Sequence, residues 1–210
     1  MIATVDNDGV PRVRSVGHRE LLHPAGSPNL PIIVTSTDIR TPKIEQMRRS
    51  RTGLVELCCW MAGSKDQFRI LGATHFVTAP DAGIGAQPID VNRPSLALDK
   101  LTGQGFDWEA KRQELFDSID EHGKAWWCKP PPGSVMDPHA NPKDWPRTIP
   151  KLGEAQSEED RCNQERALHN FALVLIEVVE VDWARVSTDP HQRTRFVRIG
   201  EEWEEQTLMP

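Results

Sequence analysis

The chain has no tyrosine among its 210 residues, and aromatic side chains of all kinds make up only 6% of it. No phenolic hydroxyl can therefore serve any site. No apolar run approaches the roughly 20 residues that a membrane helix requires, and the N-terminus lacks the apolar core of a signal peptide. The expectation is a cytoplasmic protein that neither spans nor binds a membrane. The four cysteines show no CxxC spacing: Cys58 and Cys59 adjoin, while Cys128 and Cys162 stand far off. No metal site and no disulfide is assigned on such a pattern. Neighbours on a strand point to opposite faces, so one of Cys58 and Cys59 is expected in the core. Positive charge is the minority sign, with 25 Lys and Arg against 31 Asp and Glu and a net charge of −6. That balance argues against a nucleic-acid partner, whose footprint would be basic. There are no internal repeats.

What is present reads as short strands interrupted by helices. Ala3, Val5, Val10 and Val13 surround an Asp-Asn-Asp-Gly turn, the chemistry of a tight hairpin. Arg12 and Arg14 flank Val13, so both guanidiniums share one face of a strand. Ile32, Ile33 and Val34 form a buried strand that runs into Thr35, Ser36 and Thr37 and then, through residues 38–42, into a helix over 43–51. Residues 54–61 read as a buried strand, and residues 67–78 as a long strand bent at Gly72. The stretch 79–106 reads as a loop-like excursion with a short helix around 95–100. Asp107 is placed to cap a helix over 107–122, in which Trp108, Leu115, Phe116 and Ile119 recur near the helical period. Seven prolines in residues 129–150 forbid regular structure there. A charged helix over 154–167, a Val/Leu/Ile-rich strand over 171–183 and a closing hairpin over 194–199 and 203–208 complete the chain. With 38% hydrophobic residues, a single domain over 1–210 is expected, carrying insertions at about 79–106 and 129–168. Six or so strands with helices between them fit a small barrel, mainly β with α insertions.

A strand that ends in hydroxyls and basic residues at a helix start can cradle a phosphate, because backbone N–H groups, hydroxyls, Arg and Lys all donate there. The order and spacing of these pieces resemble the FMN-binding split β-barrel superfamily, in particular the pyridoxamine 5′-phosphate oxidase-like proteins. The resemblance covers about residues 3–74 well and 170–196 more loosely. Arg14 and Arg19 fall on the two basic positions of that family's first hairpin, the second of which is Lys in the oxidases. Ser36 and Thr37 match its hydroxyl-bearing pair. Thr41 and Lys43 match the first and last positions of its Ser-Arg-Lys phosphate clamp. Pro42 stands where the clamp Arg is expected, and Arg40 is the substitute. Gln67 matches a Gln that donates to the isoalloxazine edge, and Arg195 a C-terminal flavin-contacting Arg. Trp183 lies near a flavin-contacting Trp, and the Trp-Trp-Cys-Lys-Pro-Pro-Pro-Gly run at 126–133 resembles an element of a shorter branch of the superfamily. There Trp126 and Trp127 are expected either as a packed lid or over the flavin.

The resemblance implies an FMN cofactor held by Arg14, Arg19, Ser36, Thr37, Arg40, Thr41, Lys43, Gln67 and Arg195. It also implies a homodimer with FMN at the interface, Arg195 coming from the second subunit, and a small-molecule substrate. No catalytic base is evident. True pyridoxamine 5′-phosphate oxidation is disfavoured: the substrate-binding Tyr is missing, and His191-Gln192-Arg193 replaces the oxidases' Arg-Leu-His. Relatives carry a helix before the first strand, which is expected either to be lost here or to lie upstream of Met1. Two alternatives stand beside the enzyme. One is a non-catalytic flavin- or haem-binding protein, with His18, His23 and His75 as candidate haem ligands. The other is a purely structural interaction domain, which would leave Arg14, Arg40 and Lys43 without an anion.

Overall fold

Asp6 closes the first hairpin. Its carboxylate accepts the backbone N–H groups of Asp8 and Val10 and the Nε–H of Arg12, and Gly9 takes the positive φ of 78° that the turn requires. Strands β1 (Ile2–Val5) and β2 (Pro11–Arg14) then pair antiparallel with Ile2 opposite Arg14. This computed structural model describes residues 1–50, 52–83 and 95–210. Expectations that fall on residue 51 and on 84–94 lie outside the described residues.

Seven more strands follow among the described residues: β3 (His18–Leu22), β4 (Ile32–Asp38), β5 (Leu54–Met61), β6 (Asp66–Val77), β7 (Phe171–Arg185), β8 (Gln192–Ile199) and β9 (Glu202–Leu208). The sheet runs β2-β1-β5-β6-β7-β4-β3, with β8 on β7 and β9 on β8, and every pairing is antiparallel. Among the described residues the two ends of the path, β2 and β3, do not pair, so the sheet is not closed. The fold is mainly β with helices attached, as the sequence leads one to expect.

Two apolar clusters lie on opposite faces of this sheet. On one face Ile2, Val55, Leu57, Val174 and Ile176 enclose Met47 of α1 (Pro42–Arg49). On the other, Ile32, Val34, Leu173 and Leu175 pack against α2 (Leu96–Gly103), α3 (Trp108–Asp117), α5 (Glu158–Asn170) and the buried Trp127. Each fully buried Leu, Ile or Phe contributes about 1.5–3 kcal/mol, so the central strand β7, buried from Phe171 to Val178, anchors both.

Several expectations are corrected. The strand β3 was not foreseen: His18-Arg19-Glu20 is polar and gives no apolar alternation. The helix expected over 107–122 is broken. α3 ends at Asp117, and Asp120 starts a second short helix, α4 (Glu121–Lys124), by accepting the Gly123 N–H at 2.8 Å. Neither Cys58 nor Cys59 is in the core, because β5 leaves the apolar cluster after Leu57 and ends in exposed Trp60 and Met61. The charged helix starts and ends later than expected, at Glu158 and Asn170, under a capping box formed by Ser157 and Asp160. The bend at Gly72 is a β-bulge between Leu71 and Gly72. A Cβ there would stand 2.9 Å from the Glu177 carbonyl oxygen, so β7 approaches as closely as only glycine permits.

Candidate functional site

The register fixes which expected site residues can meet. Pairing places Arg14 beside Ile2, Ile2 beside Leu57, and Leu57 beside Ile70. Arg14 therefore shares a sheet face with the α1 cluster. Its Nη1 donates to Thr4 Oγ1 and its Nη2 to Gln46 Oε1 at 2.7 Å, so α1 and the first hairpin orient it together. Thr37 faces the same way, with its Oγ1 3.3 Å from that of Thr41, the N-cap residue of α1. Lys43, at the second position of α1, lies in the field of Arg14.

Lys43 is the electrostatic oddity. Among the described residues its ammonium makes no hydrogen bond and no ion pair. Burial, and then the charge of Arg14, push its pKa below the ordinary lysine value of 10.5, and only Asp38 pulls the other way. Asp38 is already engaged: its carboxylate takes the backbone N–H, Nε and Nη2 of Arg40 at 2.6–2.9 Å. Two adjacent cations at a helix N-terminus, where the dipole also opposes them, ask for an anion. The donors present fit a phosphate group: an ammonium, a guanidinium, the hydroxyls of Thr37 and Thr41, and the N-terminal N–H groups of α1.

Arg40 does not point into that cluster. Beyond Asp38, its Nη2 donates to the carbonyls of Trp127 and Lys129 at 3.2 and 3.0 Å. It thereby ties the start of the proline-rich segment to the end of β4. Arg19 and Ser36 form a separate pair on the opposite face of β4, joined by an Nε to Oγ bond of 2.9 Å. Arg19 reaches Ser36 because it is the extra residue of a bulge between His18 and Glu20. Burial disfavours its charged form, and nearby Asp120 favours it.

Gln67 and Arg195 share a sheet face, in adjoining rows two strands apart, and it is not the face of Arg14. Gln67 pairs with Trp60 and Ala184, and Arg195 with Asp182, which in turn pairs with Arg69. By strand alternation both lie on the sheet face opposite Arg14. Gln67 makes no side-chain hydrogen bond among the described residues. Arg195 donates from Nη2 to Gln206 at 2.6 Å, while its buried Nε has no partner. Trp183 faces the other way, stacked on Phe68 at 5.8 Å, with its Nε1 donating to Asp66 at 2.9 Å and Arg185 4.1 Å above its ring.

Trp127 is a packed lid residue. It is buried between Phe116 and Phe171 and donates to the Thr37 carbonyl at 3.2 Å. Trp126 is 65% exposed, with Lys129 Nζ 3.5 Å over its ring. His18 and His23 are exposed and His75 is fully buried. Among the described residues no group of three or more His, Cys, Asp or Glu is arranged to hold a metal. Sequence reasoning missed Thr4, Gln46, Arg69 and Asp182. The only sequence signal for the last two is alternation on β6 and β7, which shows no pairing without the register.

Comparison with known proteins adds to this geometry. Residues 1–78 match the family model described as pyridoxamine 5′-phosphate oxidase, FMN-binding domain. No curated protein sequence matches the chain. A solved pyridoxamine 5′-phosphate oxidase-related, FMN-binding protein of Nostoc punctiforme superposes over 100% of this chain and 85% of its own, with a TM-score of 0.65 and 19% identity. PhzG of Burkholderia lata, solved with tetrahydrophenazine-1-carboxylic acid, superposes over 100% of this chain and 80% of its own, with a TM-score of 0.50 and 14% identity. At these identities the two structures speak for the fold. Over residues 1–78 the chain thus matches the FMN-binding domain of the pyridoxamine 5′-phosphate oxidase family, and over its whole length it has the split-barrel fold of an FMN-binding relative.

Proposed function

We propose that this chain is an FMN-dependent oxidoreductase of unassigned substrate, a single domain that works in the cytoplasm as a homodimer with the flavin at the interface. The observation that carries this reading is Lys43, a half-buried ammonium beside Arg14 that has no partner among the described residues. Lys43, Arg14, Thr37 and Thr41 would hold the FMN phosphate and ribityl chain. Gln67 and Arg195, on the opposite sheet face, would reach the flavin of the second subunit, since one chain cannot turn both faces to one ligand. An all-apolar hollow on the Arg14 face supports a covered surface there; Leu21, Ile33, Ile70, Val181, Phe196 and Trp203 line it. No described helix is long and apolar enough to cross a membrane.

When bound, FMN supplies hydride or single-electron transfer. The residues of this chain bind the phosphate, orient the ring edge through the Gln67 amide and exclude water. The test is an absorption spectrum of the purified protein followed by FMN titration of the wild type and of Lys43→Ala. Flavin binding weakened about 5- to 150-fold by the substitution, or about 1–3 kcal/mol, is the expected result for a lost charge-assisted phosphate contact. A protein indifferent to FMN overturns the reading.

A further inference from the structure

Strand β7 changes partners along one edge. Residues 171–177 pair with β4 and residues 180–185 with β8, and the handover falls at Val178, whose N–H still donates to the Pro31 carbonyl at 3.1 Å. The Val178 carbonyl is met by a side chain: Arg198 of β8 donates to it from Nε at 3.0 Å. The other two nitrogens of Arg198 are also engaged, Nη1 with the Gly200 carbonyl at 3.2 Å and Nη2 with Glu177 Oε1 at 2.6 Å. Glu177 is a buried carboxylate opposite Ile32 of β4. It also accepts from the Oγ of Ser95, the N-cap residue of α2, and from the Ala97 N–H at 3.3 Å. One carboxylate thus joins β7, β8 and α2. Past the handover, β4 and β8 do not pair with each other among the described residues. The apolar hollow of about 290 Å³ opens there, lined by Leu21, Pro31 and Ile33 from the β3 and β4 side and by Phe196 and Trp203 from the β8 and β9 side. Two further ties link the same parts: Trp203 Nε1 donates to the Asn29 carbonyl at 2.8 Å, and Lys100 Nζ to Ser27 Oγ and Glu201 at 2.9 and 2.5 Å. The Lys100 and Glu201 side chains are 34% and 43% exposed, so water weakens that pair. Those of Arg198 and Glu177 are 10% and 3% exposed, which makes theirs the pair that holds.

We propose that Glu177 and Arg198 are positioning residues for the flavin: the pair pins the β8–β9 hairpin to α2 at the point where β7 changes partners, and so fixes the width of the hollow and the reach of Arg195. This rests on the reading above, in which Arg195 extends from that hairpin to the flavin of the second subunit. Arg195 and Arg198 stand on the same strand, so a rotation of the hairpin about Val178 carries both. The insertion that contains α2 thereby bears on the site through one carboxylate. Arginine is required at position 198 because a single planar group meets three separate acceptors there, a carboxylate and two carbonyls.

Removing one member alone leaves an uncompensated buried charge and destabilises the whole chain. The test therefore uses the double variant Glu177→Gln/Arg198→Met, which leaves no lone charge and keeps an acceptor for the Ser95 hydroxyl. Backbone hydrogen exchange is followed by mass spectrometry on the cofactor-free chain, and the absorption and fluorescence of the bound ring on the FMN-loaded chain. Exchange in residues 192–208 is expected to quicken at least about tenfold, with residues 54–61 unchanged. Bound FMN should show an altered spectrum, with a loss of affinity smaller than that of Lys43→Ala because the phosphate contacts remain. Arg198→Lys keeps a charge beside Glu177 but cannot meet all three acceptors, and should fall between the wild type and the double variant in both readouts. Hairpin exchange equal to that of the wild type, faster exchange spread evenly over the chain, or a loosened hairpin with the bound-flavin spectrum of the wild type overturns the proposal. Failure of the flavin reading shows separately, as wild-type protein that binds no FMN, while exchange in the cofactor-free chain still decides whether the pair pins the hairpin.

Discussion

A half-buried ammonium held beside a guanidinium is unfavourable in the cofactor-free chain and favourable once an anion arrives. Lys43→Met is therefore expected to raise the melting temperature of the cofactor-free protein, by the equivalent of about 0.5–2 kcal/mol, while weakening FMN binding. The pH dependence follows from the same charge. Burial and Arg14 set the folded pKa of Lys43 below 10.5, so between the folded and unfolded values the unfolded chain holds more protons. Cofactor-free stability from this group rises as pH climbs through that alkaline window, whereas FMN affinity falls there as the ammonium is lost. Fluorescence titrations of FMN across the window, with Lys43→Met as the flat control, check the second half. Asp182 gives the same sign of pH dependence, but at the acid end. Arg193 first, then Arg69, hold its carboxyl below 3.8, so its contribution is present above that pH and is lost as pH falls through the lowered value. Asp182→Asn is expected to cost about 1–3 kcal/mol near neutrality and to flatten the acid limb of the denaturation curve. Arg14 and Lys43 were legible in the sequence because each is a charged residue at a position with a structural meaning. Asp182 was not, because a carboxylate inside an apolar strand, EVVEVDW, shows its partners only after β6 and β8 are laid beside it.

At the scale of elements, β4 divides its neighbours between two tasks. Thr37 looks toward α1, while Asp38 grips Arg40 and, through it, the carbonyls of Trp127 and Lys129. Arg40→Ala is accordingly expected to loosen the proline-rich segment more than it weakens FMN. Removing one partner of a nearly buried ion pair costs about 3–5 kcal/mol, and limited proteolysis within residues 129–150 should accelerate while FMN affinity changes less than in Lys43→Ala. A proteolysis rate equal to the wild type would show that Arg40 is free for the ligand after all. Most elements could be read from pattern alone: β5 ends where it was expected, and β6 carries its bend at Gly72. The failures share a physical cause. β3 is held by register to β4 and by a bulge that redirects Arg19, and the break between α3 and α4 depends on Asp120 capping a new helix inside a continuing apolar period.

For the whole molecule, the separation of Lys43 and Gln67 onto opposite sheet faces makes a test of assembly. If one subunit supplies the phosphate end of each site and its partner the ring end, then Lys43→Ala and Gln67→Ala are defective alone but complementary. Mixing, unfolding and refolding them together should restore about a quarter of the tight FMN sites, since half of the dimers are mixed and each mixed dimer has one intact site. No recovery would mean that each chain builds its own site. The homodimer was implied by resemblance rather than by any residue pattern, and the two-faced register is the physical argument that now supports testing it. β7 has a further consequence. It is hydrogen-bonded to β4, β6 and β8, yet it begins only at Phe171. On the ribosome, the first 78 residues, which carry the family match, emerge with the inner edges of β4 and β6 bare and must wait for nearly a hundred more residues before the strand between them exists. Such late, long-range closure slows folding, and during that interval two apolar strand edges stand open to pairing with each other or with a neighbour.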